Sequence, residues 1–322
     1  MSRANIGWLF YKKLYEKGNN DKHIENTLQK VIDAKGKDQR LKAKHNFTME
    51  TSYPGLVIGS GYTHGLSSEY DAKIGFYFDH TTGLPLIQGS SIKGLLRSCF
   101  GLEFGDQKDP YKEQKHNHIK DLLKKDIDVE TLAKEIFEGI DTKTNKPKSI
   151  YERDIFYEAR VVDYKNSLID SDYITPHTDG ALKNPNPIKF IKVSPEVSFE
   201  FNFDLKDGLI SADEKMFLFI ELLQIFGIGA KTNVGYGQLN IDLDKTKQNL
   251  KKNRLNDIIS SANNPEDKAK AYIDKSNKPT QDLFKQLKEL NLSNKTEILE
   301  HYKQKFPNLQ GKWNDKIIKL LR

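Results

Sequence analysis

The residues of this sequence best suited to gripping phosphate lie in three glycine-rich segments. They are Gly59-Ser60-Gly61-Tyr62-Thr63-His64-Gly65, Gly89-Ser90-Ser91-Ile92-Lys93-Gly94 and Gly227-Ile228-Gly229-Ala230-Lys231-Thr232-Asn233-Val234-Gly235-Tyr236-Gly237. Glycine lets a backbone turn sharply and approach a ligand with no Cβ in the way. Amides exposed in such turns, above all at a helix start, make anion sites. Lys93, Arg97 and Lys231 sit where they can add positive charge, and Tyr62 and Tyr236 offer faces for base stacking. The competing reading is turn and cap chemistry, with the tyrosines packed into the core or against another subunit.

Nucleotide-binding fingerprints fail on spacing. A Walker A loop needs Gly-Lys-Ser/Thr, whereas Lys93 precedes Gly94 and no hydroxyl follows. In the third segment Thr232 stands where a dinucleotide fingerprint wants a glycine, and the segment follows a helix and precedes a strand, the reverse of the Rossmann order.

Among the histidines, His64 has the type for metal-free RNA cleavage as general acid or base. A hydrogen bond within its loop or a phosphate contact is the preferred reading, because no matched second acid or base accompanies it. His116-Asn117-His118 lies in a Lys-rich stretch without a matched carboxylate or cysteine, so a solvated loop is expected there and no metal. His177, in Thr175-Pro176-His177, either positions RNA or a neighbouring subunit or is an ordinary surface residue. Trp8 divides likewise between stacking and packing. Cys99, the single cysteine, excludes an internal disulfide framework and a cysteine zinc site. No cofactor is expected.

The charge distribution narrows the partners. The formal net charge is +6, with charged residues at 30% and hydrophobic ones at 37%. Residues 1–45 carry 11 basic and 5 acidic side chains, and residues 245–322 carry 18 and 9. The centre, with 22 basic and 31 acidic, is net acidic. A uniformly basic nucleic-acid surface is therefore excluded, and RNA contact in the centre must come from local features. No apolar run approaches the roughly 18 residues that span a bilayer, and no signal-peptide core opens the chain, so a soluble cytoplasmic protein is expected.

The elements that must position these residues follow from periodicity. After an aromatic start, Asn5 to Tyr11, a Lys-rich stretch with helical spacing at Leu28, Val31 and Ile32 runs to about Lys44. Leu56-Val57-Ile58 and Ile74 to Phe78 read as strands, and Ile92, Leu95, Leu96 and Cys99 as a helix capped by Ser90 or Ser91. Residues 104–150 read as an insertion with a helix at about 129–140. Strands are expected at 155–162, 189–193, 197–201 and 238–243, with a polar working loop over 163–187. Residues 213–226 form a helix with Phe217, Ile220, Leu223 and Ile225/Phe226 as its apolar stripe, ended by Gly227 at positive φ. The order β, α, β, β, α, β is that of ferredoxin-like, RRM-type domains. The expected class is thus α+β: a core over 46–244 with the insertion at 104–150, an N-terminal segment 1–45, and a Lys-rich helical extension 245–322 broken near Asn264-Pro265, Pro279 and Pro307.

Two of the glycine motifs carry a resemblance. Gly89-Ser90-Ser91-Ile92-Lys93-Gly94-Leu95-Leu96-Arg97 resembles the first-helix signature of the RAMP superfamily of CRISPR-associated proteins. Phe226 to Thr232 with Gly235-Tyr236-Gly237 resembles its C-terminal glycine-rich loop. The segment Asn5 to Tyr11, Gly61 with His64, and Thr175-Pro176-His177 before Lys189 to Val193 resemble the small terminal RAMP subunit of the type III-B (Cmr) complex. The resemblance covers about residues 1–12 and 50–243. It implies contact with guide RNA or its duplex with target RNA, packing against other RAMP subunits and no catalysis, and the absence of a long apolar run adds that no membrane partner is expected. RNA contacts are then expected at Gly61, Tyr62, His64, Gly89, Ser90, Ser91, Lys93, Gly94, Arg97, Gly227, Gly229, Lys231, Thr232, Gly235, Tyr236 and Gly237. Glu69 and Asp71 match in type, but not in motif, the aspartate by which the repeated backbone subunit cuts target RNA. The alternatives are a metal-independent RAMP endoribonuclease acting on precursor guide RNA through His64, and an adaptor whose glycine loops only shape subunit contacts.

Overall fold

A short alternation starts the sheet. In β1 (His45–Thr51) Phe47, Met49 and Thr51 are buried on one face, while Asn46, Thr48 and Glu50 take the other. The remaining strands are β2 (Leu86–Ile87), β3 (Ile155–Phe156), β4 (Ala159–Tyr164), β5 (Ile169–Ile174), β6 (Ile188–Val193), β7 (Val197–Asp204) and β8 (Leu239–Asn240). The structure is a computed structural model. It describes residues 5–14, 16–18, 20–33, 43–59, 76–101, 109–174, 187–241, 264–307 and 309–322, together with Thr246, Ile259 and Ala262 singly.

The main sheet runs β2-β4-β7-β1-β8, antiparallel throughout, with β3 extending the β4 side of β7. Two long helices cross over it: α3 (Gly89–Cys99) between β1 and β4, and α6 (Ala212–Phe226) between β7 and β8. Numbering the four core strands β1, β4, β7 and β8 as first to fourth gives the spatial order 2-3-1-4, which is the ferredoxin-like arrangement expected from the sequence. Phe47 stands opposite Phe201 and Met49 opposite Phe199. The Phe47 and Phe201 rings stack at 5.4 Å, and Phe203 and Phe156 each lie 5.6 Å from Phe219 of α6. Of these, the fully buried rings Phe47, Phe201, Phe203 and Phe219 contribute about 1.5–3 kcal/mol each. Ser211 and Glu214 close a reciprocal cap that starts α6 one residue before the expected position.

Several expectations change. The first strand is His45–Thr51 and not Leu56–Ile58, whose Leu56 and Val57 make only single bridges to Val193 and Ala230. With two strong apolar side chains in seven residues, β1 is nearly silent in sequence. Of the expected polar loop, Asp163 and Tyr164 complete β4 and Ile169–Ile174 forms β5, which pairs with β6 as a separate two-stranded sheet. The expected loop histidines His116 and His118 lie on helix α4 (Lys112–Leu123), which with α5 (Val129–Ala133) and a π-helical turn (Lys134–Glu138) makes the insertion helical. On α6, Ile225 and Phe226 are exposed and Phe217 only half-buried, and the core side carries Met216, Phe219, Ile220 and Leu223.

Residues Met1–Ile241 form one compact unit and Asp242–Arg322 a second. The N-terminal segment belongs to the first: α1 (Ile6–Trp8) continues as a π-helix (Leu9–Lys13), and Phe10 packs on Phe76 and Phe78 at 6.2 and 5.6 Å. α2 (Asp21–Asp33) buries Val31. The second unit holds α7 (Pro265–Lys275), α8 (Gln281–Lys288), α9 (Lys295–Lys305) and α10 (Lys312–Leu321) around Ile273, Leu283, Leu287, Ile298, Tyr302 and Ile317. Asn264, Thr280 and Asn294 cap three of these helices, so the proline-marked breaks fall between elements. Among the described residues no helix is long and apolar enough to cross a membrane.

Candidate nucleic-acid interface

Helix α3 begins at Gln88, whose extended backbone leads into Gly89. A Cβ at Gly89 would collide with the Phe156 carbonyl oxygen, so the close pass of β3 requires glycine there. The Ser91 and Ile92 amides bond to the Gln88 carbonyl at 3.0 and 3.1 Å, while those of Gly89 and Ser90 meet no acceptor among the described residues. Ser90, Ser91 and Gly94 are exposed. The start of α3 therefore offers two amide donors, two hydroxyls and the positive end of the helix dipole.

The third glycine segment works differently. The Ile228 amide donates to the Gly237 carbonyl at 2.9 Å, Ala230 to Val57 at 2.9 Å, and Gly237 to Gly55 at 2.8 Å. Gly235 and Tyr236 donate to Thr232 and Lys231 within the loop. Gly229, at φ 95°, passes so close to the Val57 carbonyl that a Cβ would clash. Gly227 has the positive φ expected of it, 65°. These amides are thus used to clamp residues 55–57 to the end of α6 and do not form an open anion nest. The tip remains: Lys231, in the left-handed conformation at φ 60°, leads into a turn over Thr232–Val234.

Tyr236 is buried with Val57 and Phe190, so its ring is not a stacking platform. Its hydroxyl donates to Asp172 at 2.7 Å. Burial first, and then the Asp172 carboxylate, hold its pKa well above the usual tyrosine value.

The elements nonetheless converge. A cavity of about 260 Å³ is lined by Gly59, which opens the first segment, with Ile58 before it, by Gln88, Ser91 and Leu95 around the start of α3, and by Ile228, Gly229 and Ala230 from the third, with Tyr77 and Ile87 completing its walls. Its size suits one small moiety, since drug-sized ligands take sites above about 300 Å³. Its walls are mostly apolar, with the Gln88 amide, the Ser91 hydroxyl and the Tyr77 phenol as polar side-chain groups.

Lys93 and Arg97 face elsewhere. Lys93 lies about 200° around α3 from Ser91 at 3.6 residues per turn. Its ammonium sits 5.6 Å from the Phe156 ring centroid, and burial, then the Arg97 and Arg153 cations, lowers its pKa. Arg97 pairs with Glu138 at 2.8 Å, holding the insertion. Gly61, Tyr62, His64, Glu69, Asp71 and Thr175-Pro176-His177 lie outside the described residues. On the sheet, the aromatic residues of β1 and β7 all sit on the buried face with the helices. Thr48, Glu50, Ser198 and Glu200 occupy the positions where an RRM would present stacking rings.

Sequence reasoning missed a buried ionic cluster. Lys215 of α6, with no exposed side chain, bonds Asp154 and the Lys206 carbonyl, each at 2.8 Å. Glu135 accepts from Lys148 at 3.0 Å and from the Leu209 amide at 2.9 Å. Its one sequence signal is a lysine followed directly by an apolar run, Lys215-Met216-Phe217-Leu218. His116 bonds the Phe100 carbonyl at 3.0 Å, and among the described residues no group of three or more side chains is placed to hold a metal.

A family model for the RAMP superfamily matches residues 48–240. That stretch contains both crossover helices and runs from within β1 to the end of β8. No curated protein matches the sequence. Among solved structures, the chain is similar to one in the cryo-EM structure of the Type III-B Cmr-beta bound to cognate target RNA. The identity is 20% over 70% of this chain and 75% of that one, with a TM-score of 0.43. It is also similar to the crystal structure of Cmr6 from Pyrococcus furiosus, at 19% identity over 62% of this chain and 99% of that one, TM-score 0.36.

Proposed function

The chain belongs to the RAMP superfamily, and from that premise we propose that it is a non-catalytic guide-RNA-binding and assembly subunit of a type III-B CRISPR effector complex. The observation that carries this reading is the meeting of three glycine segments, far apart in sequence, around one cavity beside the open start of α3. The Gly89 and Ser90 amides, with the Ser90 and Ser91 hydroxyls, hold a backbone phosphate, and the cavity receives the adjoining sugar or base. Lys231 at the loop tip supplies charge. Contacts of this kind position RNA without reading its sequence, which suits a subunit that serves many guides. Arg97 holds the insertion through Glu138, Lys93 lies over Phe156 of β3, and the third glycine loop acts as a brace. The branch within the superfamily is assigned from the N-terminal Asn5-to-Tyr11 motif, Gly61 with His64, and Thr175-Pro176-His177.

The test is purification of the tagged protein from its native host, with sequencing of co-purifying RNA and identification of co-purifying proteins. Short RNAs sharing one repeat-derived end, together with other RAMP subunits, are expected. A lone protein without RNA overturns the reading. Cleavage of repeat RNA by the isolated chain in chelator, abolished by His64→Ala, replaces it with the endoribonuclease.

A further inference from the structure

The second unit lies outside the region matched by the family model and has no part in the reading above. Its charges are unevenly arranged. The ion pair Lys270–Glu297 and the 3.0 Å His301–Asp274 bond both join α7 to α9. On α8 and α10, by contrast, Lys285, Lys288, Lys312, Lys316 and Lys319 form no ion pair among the described residues. α10 carries three of these lysines against one acid, Asp315.

The spacing of Lys312, Lys316 and Lys319 places them in one row along α10, about 10 Å long at 1.5 Å per residue. Trp313 stands beside the row, half-buried, with the Lys316 and Lys312 ammoniums 4.7 and 5.7 Å from its ring centroid. Phe284 of α8 lies 5.9 Å from the same ring. Lys288, four residues on from Phe284, continues the basic border on α8. The apolar stripe of α10, Ile317 and Leu321, is used inside the unit, so this helix has no free face for a membrane.

An acidic protein surface needs only the lysines. A row of cations alongside a partly open indole is instead the combination that meets phosphates and bases together. We infer that the α8/α10 face of the C-terminal unit is a second, sequence-independent site for single-stranded RNA, with Lys312, Lys316 and Lys319 on phosphates and Trp313 stacked on a base. This inference stands apart from the reading of the RAMP core.

The chain has two tryptophans, Trp8 and Trp313, so a full-length Trp8→Phe chain reports on Trp313 alone. Titrating it with fluorescein-labelled oligouridine of about 20 nucleotides, enough to cover the unit, is expected to quench the indole emission in step with the RNA anisotropy. The triple change Lys312→Gln, Lys316→Gln and Lys319→Gln is expected to weaken binding at least tenfold at low salt. It should also reduce the slope of log K against log[salt] by about 2, at roughly 0.7 per single-strand phosphate contact. These side chains are exposed, and an unchanged thermal melt confirms that the variant folds. Constant Trp313 emission while labelled RNA binds overturns the inference and leaves the proposed function standing. An unchanged salt slope in the triple variant also overturns it, as does quenching by polyglutamate but not by RNA.

Discussion

The Tyr236 hydroxyl and the Lys192 ammonium share one oxygen of Asp172, each at 2.7 Å. This ties the glycine loop after α6 to the β5–β6 hairpin, two segments that sequence order keeps 64 residues apart.

Tyr236→Phe removes the hydroxyl while keeping the ring against Phe190. Hydrogen bonds to charged groups contribute about 1.5–3 kcal/mol, and the partly solvated Asp172 places this one at the low end. Urea denaturation should show a loss of about 1–2 kcal/mol, with RNA affinity unchanged. Unchanged stability with weakened RNA binding would instead put the hydroxyl in contact with RNA.

The same pair sets a pH window. Burial pulls the Asp172 pKa upward, but the bonds from Lys192 and Tyr236 outweigh it and leave it lowered. A depressed carboxylate contributes stability above its unfolded pKa of about 4, and loses it as pH falls through the lower folded value. Tyr236 is raised from 10.0, so its contribution is complete below that pH and fades as pH climbs beyond it. Stability measured against pH should fall at both ends, with Asp172→Asn making the acid slope shallower and Tyr236→Phe the alkaline one. An acid slope as steep in Asp172→Asn as in the parent chain would refute the assignment.

Lys215 and Asp154 are 0% and 2% exposed at 2.8 Å. Lys215→Met leaves Asp154 and Glu135 as buried carboxylates with one cation fewer, and should cost about 3–5 kcal/mol. Adding Asp154→Asn removes the orphaned charge and should restore more than half of that loss. A double variant as unstable as the single one would show that the pair acts through packing and not through charge.

Cys99, the last residue of α3, is buried, and burial pushes its thiol up to about 11. At neutral pH it should react with a thiol reagent only as fast as the unit opens, and stoichiometrically in denaturant. Fast labelling of the native chain would contradict this burial.

At the proposed RNA site, Lys231→Gln should weaken binding and flatten the salt slope by about 0.7. Arg97→Gln should leave the slope unchanged and lower stability by less than about 1 kcal/mol, because its pair with Glu138 is partly exposed. The reverse result would exchange their roles.

Much of the fold was legible because the signals were local: the helical spacing of Ile92, Leu96 and Cys99, the alternation of Phe199 and Phe201, and the positive φ demanded at Gly227. β1 was not, since its identity as a strand comes from Phe201 and Phe199 about 150 residues away. The glycine motifs were found, but their division of labour was hidden. Whether an amide faces a ligand or a neighbouring carbonyl depends on where Gly55 and Val57 come to lie. Helical spacing alone put Lys93 and Arg97 on one face, but not on which side of the cavity that face would fall.

β1 is flanked by β7 and β8, both made long after it, so the ribosome releases this inner strand first and its two neighbours last. While some 150 residues are still being added, His45–Thr51 waits with both edges unpaired, a template for any extended segment nearby. Closure must await α6 and the clamp that follows it. Such long-range pairing makes folding slow. A chain stalled before Leu239 would lack the pairing of Glu50 and Thr51 with β8, and would be more prone to aggregate than the finished chain.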